Sequence, residues 1–373
     1  MKYEQKNSIK KENLLWNEEK CQDKGLQRGN FYAYTPACLS DFFVDKYSKK
    51  GDLVVDLFAG RGTTGISAME QGRRAVVNDL NPLTCLFAQA KRVVASQADF
   101  VEVLHDGLDP KKYTDSFHSL NFFEMPSFIQ PQTDIALINL AEHLNTFRDG
   151  DEEIKKAILW ARYLLTEIVL GKGDSFYFTS RRILAQRKTY LKRNCSKENA
   201  PQFLFEKMLQ SFKYYQPFMQ AKEKELICQK EGAAFWSNPC KQEVQLFLTV
   251  PPELITQVYV SNNALKLWLS GYSNEEFKKT LPLLDNLDTW TLYMGRVLGQ
   301  QRKFLSQQGD NIWLLSDGDN TQKTLQPALL AQAELNGYHL VKKYNISIDT
   351  KANKISSKMK IIAFIFKQKA EIL

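Results

Sequence analysis

The stretch GDLVVDLFAGRGTTGISAMEQGRRAVVNDLNP, residues 51–82, constrains the fold of this chain more than any other. From Asp52 to Leu57 it is a continuous apolar run with an acid, Asp56, at its end, the pattern of a strand buried on both faces of a parallel sheet. Gly60, Arg61 and Gly62 make a tight loop, and a helix is expected from Thr63 to about Gln71, closed by Gly72. Ala75 to Val77 reads as the next strand, ending in Asn78 and Asp79, and Pro82 opens a second helix running to Ala95. This is the start of a doubly wound α/β sheet, whose ligand lies at the carboxyl ends of the strands.

Gly60, Gly62 and Gly65 satisfy a dinucleotide-type glycine pattern, with Asp79 following at the usual remove. Asp56 argues against a dinucleotide, because its charge opposes a pyrophosphate drawn to the helix N-terminus. A sulfonium cofactor is cationic and carries an amino group, both of which a carboxylate favours. A nicotinamide-dependent oxidoreductase is therefore the weaker reading.

DLFAGRGTT resembles the cofactor motif of the amino-type DNA methyltransferases, which make N6-methyladenine or N4-methylcytosine with S-adenosylmethionine. GRRAVVNDLNP resembles that family's second element, an acid-tipped strand followed by Asn-Pro, and FYAYTPACLSDFFVDKY the segment before its first strand. The resemblance implies that Asp56, Phe58, Gly60 and Gly62 surround the methionine part of the cofactor and Asp79 its ribose, with Thr63 and Asn81 also among the cofactor-binding residues. Tyr34, Thr35 and Pro36 would line the same pocket. Core packing is the alternative role for Phe58.

Further on, VQLFLTV is strand-like and ends on Pro251-Pro252. The family carries Asp, Asn or Ser, then Pro-Pro and an aromatic residue, at the end of its fourth strand. VYVSNNALKLWLSGY and DTWTLYMGRVLGQQRKFLSQQGDNIWLLSDG resemble the helices and fifth strand that follow. A helix is expected from Thr321 to Asn336, then strands from Tyr338 to Ile346 and from Met359 to Phe366. The implied fold is a class I methyltransferase-like doubly wound sheet with an antiparallel C-terminal hairpin and a central, mainly helical insertion.

The expected division is 1–106 for an N-terminal arm and the cofactor half, 107–235 for the insertion, and 236–373 for the catalytic half. Helices are expected over Thr133–Arg148, Asp151–Leu170 and Phe203–Tyr215, the second capped by Asp151. Between them RRILAQRKTYLKRNCSK holds Arg181, Arg182, Arg187, Lys188, Lys192 and Arg193 with no acid among them. This run is either a solvated face or a strip contacting DNA phosphates, in the region where the family places target recognition.

In the family, the residue before the prolines and the first proline's carbonyl accept the two hydrogens of a flipped base's amine, and the aromatic stacks on the base. Here Val250 stands in place of the polar acceptor and Glu253 in place of the aromatic, while Pro251 and Pro252 are kept. The expected activity is methyl transfer to an exocyclic amine of double-stranded DNA, as in restriction-modification. The alternatives are a degenerate homologue serving as subunit to a partner methyltransferase or restriction protein, and an RNA amine methyltransferase.

The six cysteines are scattered and the four histidines form no ligand pair, so no metal is expected and the thiols read as reduced, in a cytoplasmic setting. No apolar run is long enough for a membrane span, and the net charge of +8 is modest for 373 residues.

Overall fold

The computed structural model describes residues 9–16, 21, 26, 36–113, 118–146, 151–183, 188–219, 226–252, 254, 256–317, 320–352 and 355–369. In chain order the first elements are β1 (Lys10–Trp16), α1 (Ala37–Tyr47), β2 (Leu53–Asp56), α2 (Thr63–Glu70), β3 (Arg74–Asn78) and α3 (Pro82–Arg92). The insertion supplies α4 (Gln97–Leu108), α5 (Ile135–Thr146), α6 (Glu152–Ile168), β4 (Leu170–Gly171), β5 (Phe178–Ile183), β6 (Lys188–Arg193) and α7 (Ala200–Tyr215). Then come β7 (Leu226–Gln229), β8 (Val244–Thr249), α8 (Thr256–Leu269), α9 (Asn274–Thr280), α10 (Leu287–Phe304) and β9 (Leu305–Ser316). The chain closes with α11 (Asn320–Leu335), β10 (Tyr338–Ala352) and β11 (Ile355–Gln368).

Eight strands form one sheet in the order β1-β10-β11-β9-β8-β2-β3-β7. β11 runs antiparallel to β9 and β10, while β9, β8, β2, β3 and β7 are parallel. From β2 the chain first winds outward through β3 to β7, then returns to the other side through β8 and β9. The winding reverses between β2 and β8, which opens a crevice at their carboxyl ends. This is the class I methyltransferase arrangement expected from the sequence, antiparallel hairpin included.

Local chemistry explains the cofactor half. All four residues of β2 are buried, so apolar side chains are needed on both faces. Asn81 caps α3 by accepting from the Leu83 N–H, and Pro82 occupies the first turn. Gly65 lets α2 lie directly on the sheet, since a Cβ there would overlap Val77 Cγ1 and stand 2.9 Å from Leu226 Cδ1. Gly65→Ala is expected to lower unfolding free energy by about 1–3 kcal/mol despite alanine's better helix propensity, measured by urea denaturation.

Four departures from the sequence expectations have physical causes. Leu226–Gln229, assigned to the insertion by sequence, is the outer strand of the main sheet, pairing Ala75 with Leu226 and Asn78 with Gln229. A strand of four residues is fixed by its partner, not by its own periodicity. The N-terminal arm adds β1 beside β10, tied by an ion pair between Glu12 and Lys342. The basic run forms the β5–β6 hairpin of a second, three-stranded sheet. Lastly, Cys21–Cys38 and Cys85–Cys228 are disulfide-bonded, against the expectation of reduced thiols, whereas Cys195 and Cys240 form no disulfide. Separations of 17 and 143 residues concealed pairs that the fold brings to Cα distances of 4.9 and 5.5 Å.

The insertion is fused to one face of the sheet. Its buried Leu137, Trp160, Tyr163 and Phe212 belong to the same apolar cluster as Val54 and Leu246 of the central strands. The opposite face is covered by α10 and α11, with Trp290, Val297 and Leu329 packed against Val55, Phe247 and Trp313. No described helix is long and apolar enough to cross a membrane.

Candidate active site

A cavity of about 420 Å³ opens at the crevice between β2 and β8, within the size range of small-molecule and cofactor sites. Of the residues expected at a cofactor, Pro36, Asp56, Phe58, Gly60, Thr63 and Asp79 line it. Val250, Pro251 and Pro252 line the same cavity. Gly62 and Asn81 are not among the residues that line it. Gly62 takes the left-handed conformation (φ 80°) that starts α2, and Asn81 joins the cofactor half to α8 by donating to the Tyr259 hydroxyl at 2.9 Å. Tyr34, Thr35 and Glu253 lie outside the described residues.

Backbone N–H groups hold both acids in place. Asp79 accepts from Gly60 at 2.8 Å and from Asn81 at 2.9 Å, so the acid of β3 clamps the glycine loop that follows β2. Asp56 accepts from the Phe58 N–H at 3.1 Å. Desolvation raises the Asp56 carboxyl to about 7 despite hydrogen bonds from Thr64 and Phe58, and the neighbouring Asp79 charge adds to the rise. Desolvation likewise raises Asp79 to about 6, against the lowering by the two N–H donors. The Thr63 hydroxyl accepts from Arg61 Nε at 2.9 Å. Two desolvated carboxyls lining a mainly apolar cavity suit a ligand that brings hydroxyl donors, an amino group and positive charge.

S-adenosylmethionine offers all three, and the residues present fit it. Asp79 would take the ribose hydroxyls, and the Asp56 wall with the Gly60 loop would hold the methionine part.

The diproline is held from behind. Trp290 of α10, fully buried, donates its indole N–H to the Pro252 carbonyl at 2.9 Å. Thr249 faces the α10 side, as strand alternation requires, and its hydroxyl accepts from Gln301 at 2.8 Å. Gln301 in turn accepts from Asn311, and Asn311 from the Trp313 indole. Thr249 is thus committed to a buried network away from the cavity. Val250 presents an apolar side chain to the cavity.

Sequence reasoning missed Glu231, Tyr259, Tyr293 and Ser316, which also line the cavity. Glu231 follows β7 and accepts from the Ser237 N–H at 3.2 Å. The Tyr293 hydroxyl accepts from the Ala233 and Ala234 N–H groups. Ser316 could have been found as the polar tip of an apolar strand, NIWLLS. Tyr259 and Tyr293 lie in segments read for their helices rather than for these side chains, and Glu231 in a segment without a motif.

The basic strip divides. Arg181 and Arg182 lie on β5 and Lys188 on β6, Lys192 is exposed, and Arg187 lies outside the described residues. Arg193 is partly buried: its Nε and an Nη donate to the buried Asp134 carboxylate at 2.7 and 2.8 Å, and the Tyr177 hydroxyl donates to the same group at 2.9 Å.

Residues 1–90 match the N6/N4 methyltransferase family, described as DNA methylase. Over 74 residues the chain is 31% identical to the type II methyltransferase M.MjaII of Methanocaldococcus jannaschii, a match spanning 20% of this chain and 14% of that protein. Among solved structures, a TehB-like SAM-dependent methyltransferase from Corynebacterium glutamicum aligns over 88% of this chain and 87% of its own, with TM-score 0.31 and 9% identity. A glycopeptide N-methyltransferase, MtfA, complexed with S-adenosylmethionine aligns over 96% and 93%, with TM-score 0.32 and 5% identity. The segment that builds the acid-tipped strands and the glycine loop is thus similar to the amino-type DNA methyltransferases, and the chain spans only a small part of the curated relative it matches.

Proposed function

We propose that this protein transfers a methyl group to an exocyclic amine of adenine or cytosine in double-stranded DNA. The observation that carries this reading is one cavity, at the reversal of the sheet, lined by the acids ending β2 and β3 and by the diproline that follows β8.

The amine of a paired base is buried in the duplex, and its lone pair is delocalised into the ring, so the base must leave the stack before it reacts. S-adenosylmethionine held by Asp56, Asp79 and the Gly60 loop would supply an electrophilic methyl for the amine nitrogen, its sulfur keeping the C–S electron pair and the amine's surplus proton going to water. The Pro251 carbonyl accepts one amine hydrogen, and the rigid ring of Pro252 with the Trp290 bond behind it holds that carbonyl in position. Arg181, Arg182, Lys188 and Lys192 of the β5–β6 hairpin are the candidates for phosphate contact, with sequence recognition assigned to the insertion.

A second reading, a cofactor-binding subunit whose partner carries out the chemistry, is favoured by the apolar Val250. Tritiated methyl transfer to mixed-sequence duplex DNA, with tRNA as control, separates the two. Labelled DNA is expected. Labelled tRNA alone would move the substrate to RNA. Cofactor binding with neither nucleic acid labelled would leave the subunit reading.

A further inference from the structure

The lost acceptor at position 250 has a replacement across the sheet. We infer that Ser316, at the tip of β9, supplies the second hydrogen-bond acceptor for the substrate amine, so the divergent Val250 segment retains a two-acceptor site; this rests on the methyl-transfer reading above.

Register and facing carry the argument. β8 and β9 are parallel, and Thr249 pairs with Trp313. Both side chains face α10, since Thr249 bonds Gln301 and Trp313 packs with Trp290. One residue further on, alternation turns Val250 and Leu314 to the other face, and both belong to the apolar cluster there. Ser316 is two residues beyond Leu314, so its hydroxyl returns to the face Val250 occupies. Its partner on β11, Ile361, lies in the same cluster and lines the same cavity. Val250, Pro251 and Ser316 line one cavity, so an amine entering it meets both the Pro251 carbonyl and the tip of β9.

Of the other polar groups lining the cavity, Glu231 accepts from the Ser237 N–H beyond β7. Asp56 and Thr64 bond each other, Asp79 holds two backbone N–H groups, and Tyr259 takes the Asn81 amide. Tyr293 accepts from two backbone N–H groups, so what it offers the cavity is a proton rather than a lone pair. Ser316 is half-buried and offers the lone pairs an amine hydrogen needs. A hydroxyl is among the acceptor types the family places before its prolines, so moving it to the next strand preserves the chemistry while changing its address.

The test compares wild type, Ser316→Ala, Ser316→Thr and the double variant Ser316→Ala/Val250→Asn. Readouts are labelled-methyl transfer to mixed-sequence DNA and thermal stabilisation by S-adenosylhomocysteine. Ser316→Ala is expected to lower kcat about a hundredfold with the thermal shift unchanged. Ser316→Thr keeps a hydroxyl and most of the rate, and the double variant recovers at least tenfold over Ser316→Ala alone. Equal labelling by wild type and Ser316→Ala overturns the inference and leaves the methyltransferase reading intact. Loss of the thermal shift in Ser316→Ala would make the residue structural and overturn it also. A wild type that binds S-adenosylhomocysteine but labels no DNA removes the reading and the inference with it.

Discussion

Between pH 8 and pH 5 the affinity for S-adenosylhomocysteine is expected to fall about a thousandfold, read by isothermal titration. Asp56 and Asp79 must be ionised to accept the ligand's donors, yet desolvation raises them to about 7 and about 6 in the ligand-free protein. At the acid end each must give up a proton before binding, which costs about a factor of a hundred for the first group and about ten for the second. Asp56→Asn removes the steeper contribution, so its affinity should be lower throughout and change only about tenfold over the same range. An affinity flat across this range in the wild type would mean that neither acid touches the ligand.

The ligand-free protein carries the opposite sign. Both folded-state values lie above the ordinary aspartate value near about 3.9, so the folded chain binds more protons than the unfolded chain between about pH 4 and 7. These two groups therefore favour folding on the acid side and withdraw that stability as pH rises. The site stores unfavourable desolvation that a cationic ligand relieves, which is the physical content of an acid-tipped pair of parallel strands.

What was legible in the sequence was local. Strand β2, the glycine loop, α2, β3 and the Asn81 cap follow one another within about thirty residues, and each is dictated by neighbours along the chain. The diproline was equally visible, because Pro-Pro after an apolar run has few structural readings. The unread part was set by pairing at a distance. β7 is a strand because β3 offers it an edge, and Arg193 is paired with Asp134, which the basic run itself does not contain. Ser316 is a plain serine at a strand end until the register sets it on the face of Val250. The cysteine pairs are the same kind of fact, invisible in spacing and evident once α3 lies on β7.

Replacement of Trp290 tests how the fold serves the diproline. Trp290→Ala empties a fully buried site between α10 and the central strands, and is expected to cost about 3–5 kcal/mol of unfolding free energy in urea. That variant alone reports packing. Trp290→Phe keeps most of the ring and removes the indole N–H that holds the Pro252 carbonyl, with an expected stability cost of only about 1 kcal/mol. Its kcat should nevertheless fall about tenfold or more, with S-adenosylhomocysteine affinity unchanged, because a small drift of the diproline misplaces the Pro251 carbonyl. Equal kcat in wild type and Trp290→Phe would show that the prolines alone fix the tip. A fall in kcat out of proportion to the lost stability would place the rigidity of the site in α10, an element that carries none of the residues by which the sequence announced it.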